Sequence, residues 1–265
     1  MKFIRTTIGA LALFAVLVPG CAASDKGTRA PGGVEVVRME RSFINNYLLI
    51  GERVVLVDTG VPGNHERVLR ALERHGKKPS DVALIIVTHG HADHAGSGAA
   101  LREATGAPIA GGVGDAAMTR RGHNDRLQPT GAPGRRIMPF VVQDYPGYTP
   151  DIEVVDTLDL RPYGVAGKVI AVPGHTAGSV AVVLDDGRAI SGDLVRGRFG
   201  ARKRPTLHYF HADVGSAHQQ LQRLLDSGVH EINPGHGHTL KAADLRRFLG
   251  SWQSEQKPAA RTTAR

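Results

Sequence analysis

Five histidines and two aspartates of this chain are spaced like the ligands of a two-metal hydrolytic site. The segment Thr88-His89-Gly90-His91-Ala92-Asp93-His94 puts four ligand-type side chains into six residues. His175 follows in Pro173-Gly174-His175-Thr176-Ala177-Gly178-Ser179, Asp193 in Ser191-Gly192-Asp193, and His236 in Asn233-Pro234-Gly235-His236-Gly237. Imidazole and carboxylate are ligands zinc uses, and a catalytic zinc keeps one position open for water. Two metals about 3.5–4 Å apart can hold an attacking hydroxide and stabilise a leaving oxygen. Seven groups suffice for three terminal ligands per metal and one bridge.

Thirteen histidines occur in the chain, and a lone histidine is ordinarily a surface or satisfied core residue. The hexapeptide is different because of what precedes it. Val82-Ala83-Leu84-Ile85-Ile86-Val87 is a continuous apolar run and reads as a buried strand. A strand ending in such a cluster is presenting it, since burying unpaired imidazoles and a carboxylate is costly.

The other elements can be read in the same way. Val34–Met39, Phe43–Ile50 and Arg53–Val57 are short β-rich runs with hairpin spacing, the last ending at Asp58-Thr59-Gly60. Gly63 to His75 has helical spacing with Val68, Leu69 and Leu72 on one face. A small helix over Ala95–Thr105 and a strand at Pro108–Ala110 follow the histidine cluster. Strands resume at Ile152–Val155, Lys168–Val172, Val180–Leu184, Arg188–Ser191 and Val229–Asn233, with helices over Val214–Ser227 and Ala242–Trp252. Residues 112–150 have poor periodicity, five prolines and five arginines; they read either as a binding loop or as a disordered insertion. Strand groups with helices in each half predict sheets between helical layers, the ligand groups collecting on one rim.

Composition bounds the rest. With 265 residues, 41% hydrophobic and 22% charged, the chain is globular. Residues 1–20 read as a signal peptide: Lys2 and Arg5 precede an apolar stretch, Ile8–Val18, too short to span a bilayer comfortably. Leu17-Val18-Pro19-Gly20-Cys21 is similar to a bacterial lipoprotein cleavage box, which would lipidate Cys21; cleavage near Ala22 or Ala23 is the alternative. Cys21 is the chain's single cysteine, so no intramolecular disulfide can form. The expected address is export, with a lipid anchor in the outer membrane facing the periplasm, or otherwise a secreted or periplasmic protein. Residues 21–33 read as a flexible tether, 34–253 as the folded domain and 254–265 as a polar tail. A formal charge of +8 suits acidic lipid headgroups or an anionic small-molecule substrate. Nucleic acid is not expected in an exported chain with few aromatics, and oligomeric state is left open.

Taken together, Asp58-Thr59-Gly60, the His89–His94 segment, the His175 loop, Gly192-Asp193 and Pro234-Gly235-His236-Gly237 resemble the metallo-β-lactamase-fold superfamily, over about residues 34 to 253. The resemblance implies an αββα sandwich. It implies that His89, His91 and His175 hold a first metal, that Asp93, His94 and His236 hold a second, and that Asp193 bridges them. Asp58 would orient a ligand from behind. The metals would be two zinc ions, with iron or manganese as alternatives. The implied chemistry is hydrolysis of an ester, lactone, thioester or amide by a metal-bound hydroxide, with Asp93 or Asp193 handling the proton. The ligand set is that of glyoxalase II-like thioesterases and lactonases. True β-lactamases of the fold usually lack an aspartate at position 193, although β-lactamase activity is retained as an alternative. An iron-using oxidoreductase and a non-enzymatic binding lipoprotein complete the alternatives.

Downstream of Asp193, five cations lie between Arg196 and Arg204. Arg196, His208, Tyr209 and His211 are candidate substrate contacts, with a solvated basic loop as the competing reading.

Overall fold

Side-chain alternation decides the layering of this molecule. The computed structural model describes residues 26–29, 33–198 and 204–256. A first sheet carries seven strands in chain order: β1 (Lys26–Arg29), β2 (Glu35–Arg41), β3 (Ile44–Ile50), β4 (Val54–Val57), β5 (Val82–Val87), β6 (Ile109–Gly112) and β7 (Ile152–Val154). β1 to β4 pair antiparallel; β4 to β7 pair parallel. The second sheet uses β8 (Thr157–Asp159), β9 (Gly167–Ala171), β10 (Val180–Leu184) and β11 (Arg188–Gly192). β12 (Arg196–Gly197) and β13 (Pro205–Thr206) form a separate ribbon, and β14 (Glu231–Pro234) and β15 (Leu240–Lys241) complete the second sheet in the order β15-β14-β11-β10-β9-β8.

Along β5, Leu84 and Ile86 point between the sheets, where they meet Tyr47, Leu49, Val182 and Ile190. Val82, Ile85 and Val87 point the other way, onto α1 (His65–Arg74) and α3 (Gly98–Thr105) through Val68, Leu72 and Leu101. On the second sheet Val180, Val182 and Leu184 face inward, while Ala181 packs beneath α6 (Val214–Asp226) and α7 (Ala242–Gln256) with Leu221, Leu225, Leu245 and Leu249. A strand buried on both faces must be apolar throughout, which is why β5 reads as an unbroken run. The result is the expected αββα sandwich.

Some boundaries differ from the sequence reading. The helix expected over Ala95–Thr105 is split into α2 (Ala92–Ala95) and α3, because Ser97 turns inward: its backbone N–H donates to Thr59 Oγ1 and its hydroxyl to Val61 O. The tether expected over 21–33 contains an edge strand: β1 pairs with β2 from Lys26↔Arg38 to Arg29↔Glu35. Arg188 secures it, donating to Thr28 O at 2.8 Å and to Val34 O. The closing helix runs three residues past the expected domain end at 253. The segment 112–150 carries α4 (Ala116–Arg121) and α5 (Ala132–Ile137). It is pinned to the second half of the chain where Thr130 N donates to Tyr209 O and His211 N to Gln128 O. The signal peptide, Cys21, Arg202, Lys203 and residues 257–265 lie outside the described residues. Among the described residues no helix is long and apolar enough to cross a membrane.

Candidate metal centre

Asp58, the His89–His94 segment, His175, Asp193 and His236 follow the C-terminal ends of β4, β5, β9, β11 and β14, respectively. These five ends share one rim, so all seven expected ligands converge there. His175 Nε2 lies 3.2 Å from His89 Nε2 and 3.0 Å from His91 Nδ1. His94 Nε2 lies 3.3 Å from His236 Nε2, and Asp93 Oδ2 is 3.3 Å from His236 Nε2 and 3.7 Å from His94 Nε2. Asp193 sits between the two sets: its Oδ2 is 3.6 Å from His175 Nε2 and 3.2 Å from His236 Nε2, and its Oδ1 is 3.5 Å from His94 Nε2.

The opposite edge of each ring fixes what the inner edge can offer. His175 Nδ1 donates to Phe210 O at 2.8 Å and His236 Nδ1 to Phe43 O at 2.7 Å. His94 Nδ1 donates to Asp58 Oδ2 at 2.8 Å. The Thr88 hydroxyl also donates to Asp58 Oδ2, and so accepts from His89 Nδ1 at 3.1 Å. A carbonyl or carboxylate only accepts, so the proton must be on Nδ1 and the Nε2 lone pair faces inward in the neutral ring. Asp58 thus sets two rings, one directly and one through Thr88. It does so from a left-handed backbone, φ +61°, a conformation that costs energy and that aspartate tolerates better than most residues.

Two neutral imidazoles facing each other with bare lone pairs repel unless a cation lies between them. His89 and His175 are in that position. Burial holds both well below the ordinary histidine range, reinforced by His94 at His89 and by His89 at His175, and opposed at each by Asp193. Nitrogen–nitrogen separations of 3.0–3.3 Å suit a shared ion bonded at about 2.0–2.1 Å. Asp193 Oδ1 is buried and accepts no hydrogen bond, which is costly for a carboxylate unless an ion meets it. The residues therefore fit a metal centre. The second set behaves differently. Burial lowers His236, but the Asp193 and Asp93 carboxylates overcome it and hold the ring up to about 10. His94 is likewise carried well above its usual range, burial being outweighed by Asp193, Asp58 and Asp93.

Three residues absent from the expected site help to shape it. Asp115 Oδ2 accepts from Gly90 N at 2.8 Å and from the Thr176 hydroxyl at 2.7 Å, while its Oδ1 accepts from Gly178 N at 2.8 Å. One carboxylate therefore joins the His89–His94 loop to the His175 loop. Asn124 Oδ1 accepts from Ala92 N, and the Tyr145 hydroxyl donates to Gly90 O. All three come from the irregular segment. The sequence signal for Asp115 was its place just after strand β6 and before a helix. Close packing also constrains the backbone: a Cβ on Gly235 would lie 2.4 Å from Asp193 Oδ1.

Among the candidate substrate contacts, His208 is drawn into the centre itself. Its Nε2 lies 3.1 Å from Asp193 Oδ2, and burial lowers it to about 4. His211 is buried behind His175, burial lowering it to about 3, and neither ring nitrogen has a hydrogen-bond partner. Arg196 places its guanidinium 4.0 Å over the Tyr209 ring and donates from Nε to Leu207 O. Arg198 and Arg204 are exposed.

The family model described as Metallo-beta-lactamase superfamily matches residues 39–236. A probable metallo-hydrolase of Methanocaldococcus jannaschii is 27% identical over 195 residues, covering 73% of this chain and 87% of that one. A hydroxyacylglutathione hydrolase of Anaeromyxobacter dehalogenans is 33% identical over 150 residues, 56% of this chain, which spans 45% of that protein's length. Among solved structures, a metallo-beta-lactamase of Cronobacter sakazakii aligns with TM-score 0.61 at 22% identity, covering 88% of this chain and 93% of that one. A subclass B3 metallo-beta-lactamase of Bradyrhizobium japonicum aligns with TM-score 0.59 at 18% identity, covering 85% and 90%. At these identities the structural likeness concerns the fold.

Proposed function

Because the chain belongs to the metallo-beta-lactamase superfamily, we propose that it is a dinuclear zinc hydrolase acting on ester, lactone, thioester or amide bonds. It is a metal-dependent hydrolase by family, and the opposed lone pairs of His89 and His175 carry the reading that metal belongs here. His89, His91 and His175 would hold one ion, Asp93, His94 and His236 the other, with Asp193 between them. When bound, the ions would supply Lewis acidity and make a water acidic enough to attack at neutral pH.

The chain's own groups divide the remaining work. Asp193 is wholly buried, and its place between the two sets suits it to fixing their separation. Asp93 is partly exposed and borders the open cleft, so its carboxylate can take a proton from the attacking water and return it to the leaving group. Asp58, Thr88 and the Phe43 and Phe210 carbonyls hold the rings and their tautomers. The likeness to hydroxyacylglutathione hydrolases favours a thioester or a related acyl bond; β-lactams are the second class to try.

Metal content and a panel of small esters, lactones, thioesters and β-lactams test this reading together. Protein stripped and refolded with excess zinc is expected to hold two equivalents and to hydrolyse at least one class. Saturation at one equivalent, unchanged in Asp193→Ala, would refute the dinuclear site; an oxidative product with iron would assign the alternative chemistry. Export and lipidation at Cys21 remain proposals from the sequence. Cys21→Ser should release the protein from membranes.

A further inference from the structure

The cleft above the metal centre is lined very differently from its floor. It encloses about 390 Å³, within the range of small-molecule sites. Its floor is His91, Asp93, Asp193, His208 and His236. Its walls are apolar and come from distant segments: Phe43 and Ile44 from the β2–β3 turn, and Leu127, Ile137, Phe140 and Val142 from the irregular segment. No lysine or arginine is among the described lining residues. The five arginines of 112–150 are exposed; one of them, Arg126, borders a neighbouring recess that shares His91, Leu127 and Phe210 with the cleft, and Arg196 lies against Tyr209 and donates to Leu207 O.

Two features argue that the apolar walls serve a ligand. Phe140 is 85% exposed, Phe43 55% and Val142 45%, and all three border the same opening. A single exposed apolar side chain is ordinary, but a contiguous apolar rim around a polar centre marks a binding surface. The wall is also held in place. Thr130 is hydrogen-bonded to the Tyr209 and His208 carbonyls, and Asn124 ties Val142 O to the His91–Ala92 backbone. A collapse that buried the rim would have to break these bonds.

We propose that the centre acts on substrates carrying an uncharged, apolar chain on the acyl or leaving side, seated between the Phe43–Ile44 turn and the Leu127–Val142 wall. This rests on the hydrolase reading above and narrows its substrate class. The cations between Arg196 and Arg204 favour an anionic substrate instead; among the described lining residues of this cleft, however, no lysine or arginine stands ready to pair with a second negative group.

Two measurements on the full chain decide it. The zinc-loaded protein is assayed on p-nitrophenyl esters from acetyl to decanoyl, and on the same chains ending in a carboxylate. The expected kcat/KM rises roughly three- to fourfold per methylene until the cleft is filled. A terminal carboxylate should lower it by about tenfold or more, since a buried charge loses its hydration. Phe140→Ser with Val142→Ser, both exposed positions, should flatten the chain-length slope. A flat slope, or preference for the carboxylate series, overturns the proposal while leaving a hydrolase. If no ester is cleaved in a metal-dependent way, the ester reading fails, and binding decides the proposal alone. Butyl, hexyl and octyl phenyl ethers are then titrated calorimetrically into the metal-free protein. Tighter binding with length, weakened by the double substitution, supports the apolar cleft; binding independent of length overturns it.

Discussion

The two halves of the metal centre are built from the same residue type and have opposite proton chemistry. His89, His91 and His175 are buried among one another and are held below the ordinary histidine range. His94 and His236 are equally buried but face Asp58, Asp93 and Asp193, and are held above it. Without metal, the first set presents bare lone pairs at neutral pH, whereas the second stores protons between its rings and its carboxylates. Burial is common to both, so the difference comes from the placement of three aspartates. An ion entering the first set relieves a repulsion; one entering the second must displace protons.

Removing one ligand from each half should produce the largest effect. His89→Ala and His236→Ala should each hold one zinc equivalent instead of two by elemental analysis, and each should lose most hydrolysis. A variant retaining two equivalents would separate that residue from its proposed metal.

Changing the groups behind the rings should have smaller effects, and selective ones. Asp58→Ala touches both halves, through His94 and through Thr88 to His89, and should weaken both zinc affinities by roughly 10- to 100-fold. Asp115→Ala should weaken chiefly the first equivalent, because Asp115 braces the loops of His89 and His175. Equal losses at both sites in Asp115→Ala, read by chelator competition, would show that the halves are not independently supported.

The proton contrast predicts a pH signature. Affinity for the second equivalent should climb across pH 6 to 8, by roughly tenfold per pH unit for each proton displaced, while the first stays nearly flat. Parallel pH slopes would dissolve the distinction.

Stability of the metal-free protein should carry the same signature. A raised histidine contributes stability that is complete below about pH 6.5, its unfolded value, and lost as pH rises through the folded value, about 10 for His236. His208 and His211, lowered to about 4 and about 3, act in the other direction: their contribution is present above pH 6.5 and is lost as pH falls toward those values. Thermal unfolding of the metal-free protein should therefore weaken on the alkaline side. His236→Gln should flatten that limb and leave the acid limb in place. The smallest expected change is Tyr145→Phe, which removes the bond to Gly90 O at a cost of about 1–2 kcal/mol, measured by denaturant midpoint.

The ligand positions could be read in the sequence because they are local. Each sits within a few residues of an apolar strand, and four fall within six residues, so chain order alone brings them to one rim. The supporting residues are not local. Asp115 meets partners 25 and 61 to 63 positions away, and its neighbours in sequence carry no period. His208 enters through a ribbon and loop rather than from a sheet end. The apolar walls escaped for a similar reason: their residues are scattered among prolines and arginines, and become a surface only when the segment folds over the rim. β1 escaped because Lys-Gly-Thr-Arg has no strand composition and is held by backbone pairing with β2 and by Arg188.

β1 also fixes a direction. It runs antiparallel to β2, so its first residue, Lys26, lies beside Arg38, toward the end of the sheet where Phe43 stands. Four residues lie between Lys26 and Cys21, a reach of at most about 18 Å. If Cys21 carries a lipid, that reach is short enough for the anchor and the apolar mouth of the cleft to face the same bilayer. The enzyme would then meet the bilayer mouth first, and its substrate could arrive by lateral diffusion in the lipid as readily as from water.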